Sequence, residues 1–354
     1  METKLEKVKN PKLIQPETRV HTGPMNLAAS WYIAMRSKAL GKKPKAIELF
    51  GQLLVAWRDQ KGHPVIMERY CSHLSASLAI GKIVDGCLQC PYHHWRYDNS
   101  GQCVSIPEVD YIPPKARQAT YITVERYGYI WVWYGSQTPL FPLPEFPAAE
   151  DRHNYIPRYF TDKTNTSMLR VLENSFDYYH VVTLHNTKVS GSIRFTLLDE
   201  QYSSQQSEPP IQKEAWFGVL IEYPFKIEGQ VGRSLQILGL NPKTAAVRMD
   251  AWPSGLRVTT FVEGKEIYKL LLCTTPVNEN NTILECLLMQ KKTGKFWRDR
   301  LYYLIMTEDF KKTTQEDLPV WNTMKPDVGR VYCKHDQGIL KFRNFYQSWV
   351  DKVE

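Results

Sequence analysis

Residues 87–95 read "CLQCPYHHW", and the fold turns on which of its two cysteines and two histidines are ligands. Cys87-x-x-Cys90 alone suggests a zinc knuckle or a redox dithiol. Upstream, "YCSHLSAS" supplies Cys71-x-His73, and after sixteen intervening residues comes Cys90-x-x-His93. Two such pairs can be used in two ways. All four side chains could surround one Zn²⁺, with Cys87 competing, although Cys-x-His is tight for two bonds to one tetrahedral ion. Alternatively, each loop gives one ligand to each of two irons, with both sulfurs on one iron and both imidazoles on the other. Neutral imidazoles in place of thiolates raise the potential of such a [2Fe–2S] cluster to roughly −150 to +300 mV.

The chain around these loops has 354 residues, 43% apolar and 23% charged, enough for one large or two medium cores. No apolar run approaches the length that spans a bilayer. The opening segment mixes charges with prolines and lacks the apolar stretch of a secretory signal. Seven cysteines without such a signal point to a reducing compartment, hence a cytoplasmic protein with buried or metal-bound thiols. A net charge of +8 is spread along the chain, with only "GKKPK" and "QKKTGK" as clusters. A solvated basic face accounts for this better than nucleic acid does.

Between Trp31 and Tyr134, β-type runs ("LLVAWRD", "PVIMERY", "TYITVERYGYIWVWYG") alternate with turn residues. The proline-rich "SQTPLFPLPEFPAAEDRH" then suits neither a helix nor a central strand. The expected division is an arm over 1–27, an all-β domain over 28–137, a linker over 138–153 and a second domain over 154–354. In the second domain, Leu169, Leu172, Phe176 and Tyr179 have helical spacing, predicting one helix through about Leu184. Four strand-like runs follow ("AWFGVLIEYPF", "GLRVTTFVE", "YKLLLCTTPV", "NTILECLLMQKK"), then a helix from about Lys295 to Met324, broken or kinked at Pro319. The class is α+β, a sheet with helices on one side.

The predicted helix carries "LENSFDYYHVVTLH", which is Asn174-x-x-Asp177-x-x-His180-x₄-His185. Two histidines and a carboxylate on one face of a metal leave positions open for dioxygen and substrate. On an ideal helix, His180 and His185 would stand about 140° apart. The helix must therefore bend, widen or end there.

The order of the two constellations, the "CPYHHW" loop first and the Asn-Asp-His-His set after a linker, resembles the Rieske non-haem iron oxygenases over nearly the whole chain. This chain departs from the family in having Leu74 after the first histidine, where Arg is frequent, and His94 after the second, where Gly is frequent. The resemblance implies an N-terminal Rieske domain and a helix-grip catalytic domain. It implies one [2Fe–2S] cluster on Cys71, His73, Cys90 and His93, and one mononuclear Fe(II) on His180, His185 and a downstream carboxylate. "MTEDFKKTTQEDLPVWNTM" offers Glu308, Asp309, Glu316 and Asp317. With "HDQGILKFR" following, the family pattern favours Asp317, with Asp309 next.

In the family, Asp177 would bridge a cluster histidine of one subunit to His180 of its neighbour in a homotrimer, and Asn174 would lie beside the iron. The activity implied is that of a terminal oxygenase, using O₂ and electrons from NAD(P)H delivered by a separate reductase, with or without a ferredoxin. It would hydroxylate or oxidatively demethylate a small organic substrate; dihydroxylation and desaturation use the same metal parts. No G-x-G-x-x-G follows a strand, so the nicotinamide would bind the partner reductase, and the basic excess would suit an acidic ferredoxin. A pure Rieske electron carrier is the alternative, and a complete second iron site argues against it. Pocket residues are expected from "NTKVSGSIRFTLLDE" and "RSLQILGLNP".

Overall fold

The computed structural model describes residues 25–199, 208–224, 226, 228, 236, 242–324 and 331–354. The arm over 1–27 lies outside them except for its last three residues. The chain divides into two compact units: Met1–Leu140 with 276–279 and 350–354, and Phe141–Thr275 with Asn280–Trp349. The boundary thus falls between Leu140 and Phe141. From Phe141 onward the proline-rich stretch belongs to the second unit, where Phe141, Leu143 and Phe146 are buried.

The first unit is all β, in three small antiparallel sheets. β1 (Ser30–Arg36), β10 (Tyr129–Tyr134) and β9 (Thr123–Arg126) form one; β2 (Lys45–Leu49), β3 (Gln52–Arg58) and β4 (Pro64–Glu68) another; and β5 (Lys82–Val84), β6 (Cys87–Gln89), β7 (Arg96–Tyr97) and β8 (Cys103–Ser105) the third. β10 is buried along its full length, as its run "YIWVWY" requires. β5 and β6 close through Asp85 (φ 50°) and Gly86 (φ 74°). Two successive positive φ values give the primed turn whose twist matches paired strands. That hairpin delivers the chain directly into the Cys90 loop.

The second unit is built on seven strands: β11 (Tyr155–Thr164), β12 (Arg194–Leu198), β13 (Phe217–Pro224), β14 (Thr244–Trp252), β15 (Gly255–Val262), β16 (Lys265–Asn278) and β17 (Asn281–Lys291). They form one antiparallel sheet in the order β11-β17-β16-β15-β14-β13-β12. Among the described residues, α1 (Met168–Asn174), α2 (His180–Thr183), α3 (Phe296–Thr323) and α4 (Gln337–Val350) accompany it. None is long and apolar enough to cross a membrane among the described residues.

Registered pairing sets Phe195, Ile221, Val247, Thr260 and Tyr268 in one row across five strands. Phe195 packs on Tyr178 at 5.6 Å between ring centroids, and Tyr268 is raised in pKa by burial and then by the charge of Asp309 on α3. The α1–α2 segment and α3 therefore share this face. The neighbouring row, Thr196, Leu220, Arg248, Thr259 and Lys269, points the other way and is largely polar. There Lys269 pairs with Glu208, and the adjacent Arg257, 1% exposed, donates to the carbonyls of Glu145 and Pro209. Glu145 is in the proline-rich stretch, so one carbonyl of that stretch helps to hold a cation that would be costly to bury alone.

Two expectations need correction. The helix predicted through Leu184 is two: α1 ends at Asn174, and α2 begins only at His180. The carboxylate of Asp177 accepts the backbone N–H of Tyr179 at 3.0 Å and of His180 at 3.3 Å, an Asx-type turn that leads into a new helix rather than continuing an old one. Second, β11, β12, β14 and α4 are additional to the runs read from sequence. α3 does run through Pro319 to Thr323.

α4 closes on this turn. A Cβ placed on Gly338 would stand 2.7 Å from the carbonyl oxygen of Phe176 and 2.7 Å from Cζ of Phe195. Gly338→Ala is thus expected to cost about 1–3 kcal/mol by overpacking, read as a melting-temperature loss of a few degrees.

Candidate metal centres

The first constellation lies in two turns of one design. Cys71 N–H donates to Ala76 O at 2.9 Å, and Cys90 N–H to Trp95 O at 2.8 Å. Each turn has its fourth residue after cysteine in the left-handed region, Ser75 (φ 56°) and His94 (φ 59°). That explains why glycine is at home in the His94 position and why histidine there carries some backbone strain.

Cys71 and Cys90 are buried, in a cluster with Val55, Trp57, Met67, Leu88 and Tyr97. The Cys71 thiol is within hydrogen-bonding reach of Cys90 and is pushed up in pKa chiefly by burial, so a metal is what would hold it as thiolate. The imidazoles face outward: His73 is exposed, His93 half-buried, and their centroids are 4.7 Å apart. Two buried sulfurs and two adjacent outward imidazoles fit a cluster with one all-sulfur and one all-imidazole iron. Cys87, half-buried on β6, is outside this core, near Asp98, Arg96 and Asp85.

Side chains that sequence reading did not single out complete this centre. The Tyr97 hydroxyl is 3.0 Å from Cys71 Sγ and 3.0 Å from Ser72 Oγ; Trp95 stacks on His73 at 4.5 Å with rings 2° from parallel. Hydrogen bonds to a ligand sulfur are one of the levers on cluster potential. Trp95 closes "CLQCPYHHW" and Tyr97 follows two residues later, but only packing shows what they touch.

The second constellation converges on one point. Ligand atoms of His180, His185 and Asp317 all lie within 4.8 Å of one another, with centroids of the two imidazoles 5.1 Å apart. The break at Asp177 solves the 140° problem: His180 opens α2 and His185 follows its end. Tautomers can be deduced from the partners. His180 Nδ1 faces the backbone carbonyl of Asp177, an acceptor, so Nδ1 carries the hydrogen and Nε2 the lone pair. Asn174 Nδ2, 3.3 Å from that Nε2, agrees. The Asp177 carboxylate itself is 4.0 Å from Nδ1; the carbonyl, not the expected carboxylate, makes this hydrogen bond.

His185 Nδ1 is 2.9 Å from Glu316 Oε2, again placing the hydrogen on Nδ1. Its Nε2 is 3.3 Å from Asp317 Oδ1, and both atoms are buried with no hydrogen-bond partner. Such a facing pair is satisfied either by a proton on Nε2 or by a metal cation between the two atoms. Burial lowers His180, whereas in His185 the carboxylates of Asp317 and Glu316 overcome burial and raise it, so without a metal a proton is favoured where the metal would bind. The donor set suits a non-haem iron with two imidazoles and one carboxylate. Asp309 stands eight residues before Asp317 on α3, about 12 Å along the axis, out of reach of the same ion.

Among the expected pocket residues, Phe195 flanks Tyr178, whereas 233–242 lie outside the described residues apart from Gln236 and Pro242. A further cluster holds the turn from below. Glu173 accepts from Arg343 at 2.6 and 2.9 Å and from Arg170 at 2.9 Å, tying α4 to the last turn of α1.

Fold and donor sets define a class, and sequence families agree with it. Residues 30–121 match the Rieske [2Fe-2S] domain and residues 130–350 the 3-ketosteroid 9alpha-hydroxylase C-terminal domain. The chain belongs to the Rieske oxygenases and is an enzyme of the oxygenase class; its Rieske domain implies a [2Fe–2S] cluster. Among individual relatives, aminopyrrolnitrin oxygenase PrnD of Pseudomonas fluorescens is 42% identical over 336 residues, 92% of each chain. The oxygenase component of 3-ketosteroid-9-alpha-monooxygenase from Rhodococcus rhodochrous is 24% identical over 326 residues, 88% of this chain and 80% of its own. In fold, dicamba monooxygenase bound to dicamba superposes with TM-score 0.72 at 17% identity, covering 92% of this chain and 97% of its own. NdmB of Pseudomonas putida CBB5 gives 0.71 at 18%, covering 91% and 94%.

Proposed function

We propose that this chain is the terminal oxygenase of a multicomponent system, taking electrons ultimately from NAD(P)H through a reductase and ferredoxin and oxidising a small organic substrate by hydroxylation or oxidative demethylation. The observation that carries this reading is a buried pair of unpartnered atoms, His185 Nε2 facing Asp317 Oδ1, with His180 Nε2 turned to the same point. A pure electron carrier has no use for it. Cys71, His73, Cys90 and His93 would hold the cluster, and His180, His185 and Asp317 the mononuclear iron. Iron bound there would supply the dioxygen chemistry, with open positions for substrate and O₂.

The chain's own residues do the rest. Asp177 O and Glu316 hold Nδ1 protons and so aim both Nε2 atoms inward. Asn174 lies beside the His180 nitrogen that faces the site, and the row through Phe195 and Tyr268 offers an apolar and aromatic floor. In a cytoplasmic homotrimer, Asp177 would connect the His180 side of one subunit to a cluster histidine of the next. The 42% relative, named for aminopyrrolnitrin, makes an amino-bearing substrate the first to try.

The test is NADH-dependent oxygen uptake with a surrogate reductase and ferredoxin over a panel holding aminopyrrolnitrin, a 3-ketosteroid, dicamba and caffeine. Substrate-dependent uptake with an oxygenated or demethylated product supports the reading; cluster reduction without uptake across a broader metabolite panel counts for the carrier. Asp177→Asn is expected to leave both metal contents unchanged while product formation drops to background. Wild-type turnover in that variant removes Asp177 from the electron path.

A further inference from the structure

We propose that Glu316 is a positioning residue for the iron site: it fixes the ring orientation of His185 and holds its hydrogen on Nδ1, so that Nε2 is the nitrogen aimed at the metal. This rests on reading His180, His185 and Asp317 as ligands, and adds a residue that the ligand set does not include. In a helix rich in charge, Glu316 reads as one more solvated carboxylate. Its geometry differs from that reading. His185 is 7% exposed in its side chain, clamped between two consecutive residues of α3, with Asp317 toward Nε2 and Glu316 on Nδ1 at 2.9 Å. A carboxylate can only accept, so the proton must stay on Nδ1.

The two histidines are oriented by unlike groups. His180 leans on the backbone carbonyl of Asp177, which no side-chain substitution removes and which carries no charge. His185 depends on a side chain, and a charged acceptor makes a stronger hydrogen bond and a more basic ligand nitrogen. The second oxygen, Oε1, stands 3.8 Å from Lys312 Nζ one turn earlier, which steadies the carboxylate without reaching the ring.

The experiment measures Fe(II) affinity of the mononuclear site in the cluster-loaded protein, by dialysis against a competing chelator, with ligand-field spectra of the Co(II)-substituted site as a second readout. Glu316→Ala and Glu316→Met, which lack an acceptor but suit a helix, are expected to weaken Fe(II) binding 10–100-fold and to change the Co(II) spectrum. Cluster absorbance and melting temperature should stay unchanged. Glu316→Gln, whose amide oxygen can still accept from Nδ1–H, is expected to recover most of the loss; a purely structural role would show no such recovery. Affinity within twofold of wild type in both the alanine and methionine variants, while His185→Ala loses iron, overturns the proposal and leaves the ligand reading intact. Retention of iron by His185→Ala overturns both.

Discussion

Cys90→Ser is expected to bleach the protein and abolish turnover, while Cys87→Ser keeps the red-brown colour, the cluster's paramagnetic signal after reduction, and activity. The two cysteines are three residues apart and both belong to the Cys-x-x-Cys pattern, so sequence spacing alone does not rank them. Burial and direction do. Cys90 is 2% exposed, starts the turn whose N–H is tied to Trp95 O, and lies against Cys71 in the core. Cys87 is fixed on β6 opposite Val84, at a surface shared with Arg96 and Asp85. Moving a cluster from Cys90 to Cys87 would require unpairing that strand. Absorption spectra and iron content of the purified variants decide the matter: a bleached Cys87→Ser with coloured Cys90→Ser would invert the assignment.

Asp317→Ala is expected to lower iron from about three to about two per chain, two being the cluster's share, and to reduce product formation to background with the cluster still reducible. Asp309→Asn is expected to keep all the iron. The distinction follows from helix geometry. Asp317 Oδ1 is within 3.3 Å of His185 Nε2, whereas a residue two turns earlier contributes its charge to Tyr268 on the sheet. Iron loss from Asp309→Asn together with retention in Asp317→Ala would exchange their roles.

The chemistry of this site was legible where residue type and spacing coincide with metal preference. His180 and His185 stand out because their separation is wrong for an ideal helix, and the reason is now physical: a helix ends at Asn174 and another starts at His180, after a turn held by the Asp177 carboxylate. The apolar spacing Leu169, Leu172, Phe176, Tyr179 runs across that break without a sign of it, because periodicity reports which residues face the core and not whether the backbone between them is continuous. Phe176 is fully buried from within the turn itself.

α4 carries its own helical signal, Phe342, Tyr346 and Trp349 buried on one side, yet the segment offers sequence reading the more distinctive Asp-x-Gly-Ile pattern. Its glycine has a local cause in the close approach to Phe176 O. β14 escapes notice because "TAAVRMDAW" mixes alanines with an ion pair, Arg248 to Asp250 at 3.1 Å, that becomes sensible only on the polar side of the sheet. Glu316 was the least legible of all. Nothing in a run of helix charges distinguishes one that touches a buried ring.

The paired turns around Cys71 and Cys90 break their own symmetry by one step. Both place cysteine first and a left-handed residue fifth, but the histidine is third in one and fourth in the other. A nearly two-fold scaffold thus presents two imidazoles that are not equivalent: His73 lies open to water with Trp95 stacked beneath it, and His93 sits half-covered against Tyr92 at 3.8 Å. With both rings bound to one iron, the N–H that each turns away from the metal should exchange at its own rate, giving two separable magnetic resonances and an internal reporter of whichever surface comes to cover them.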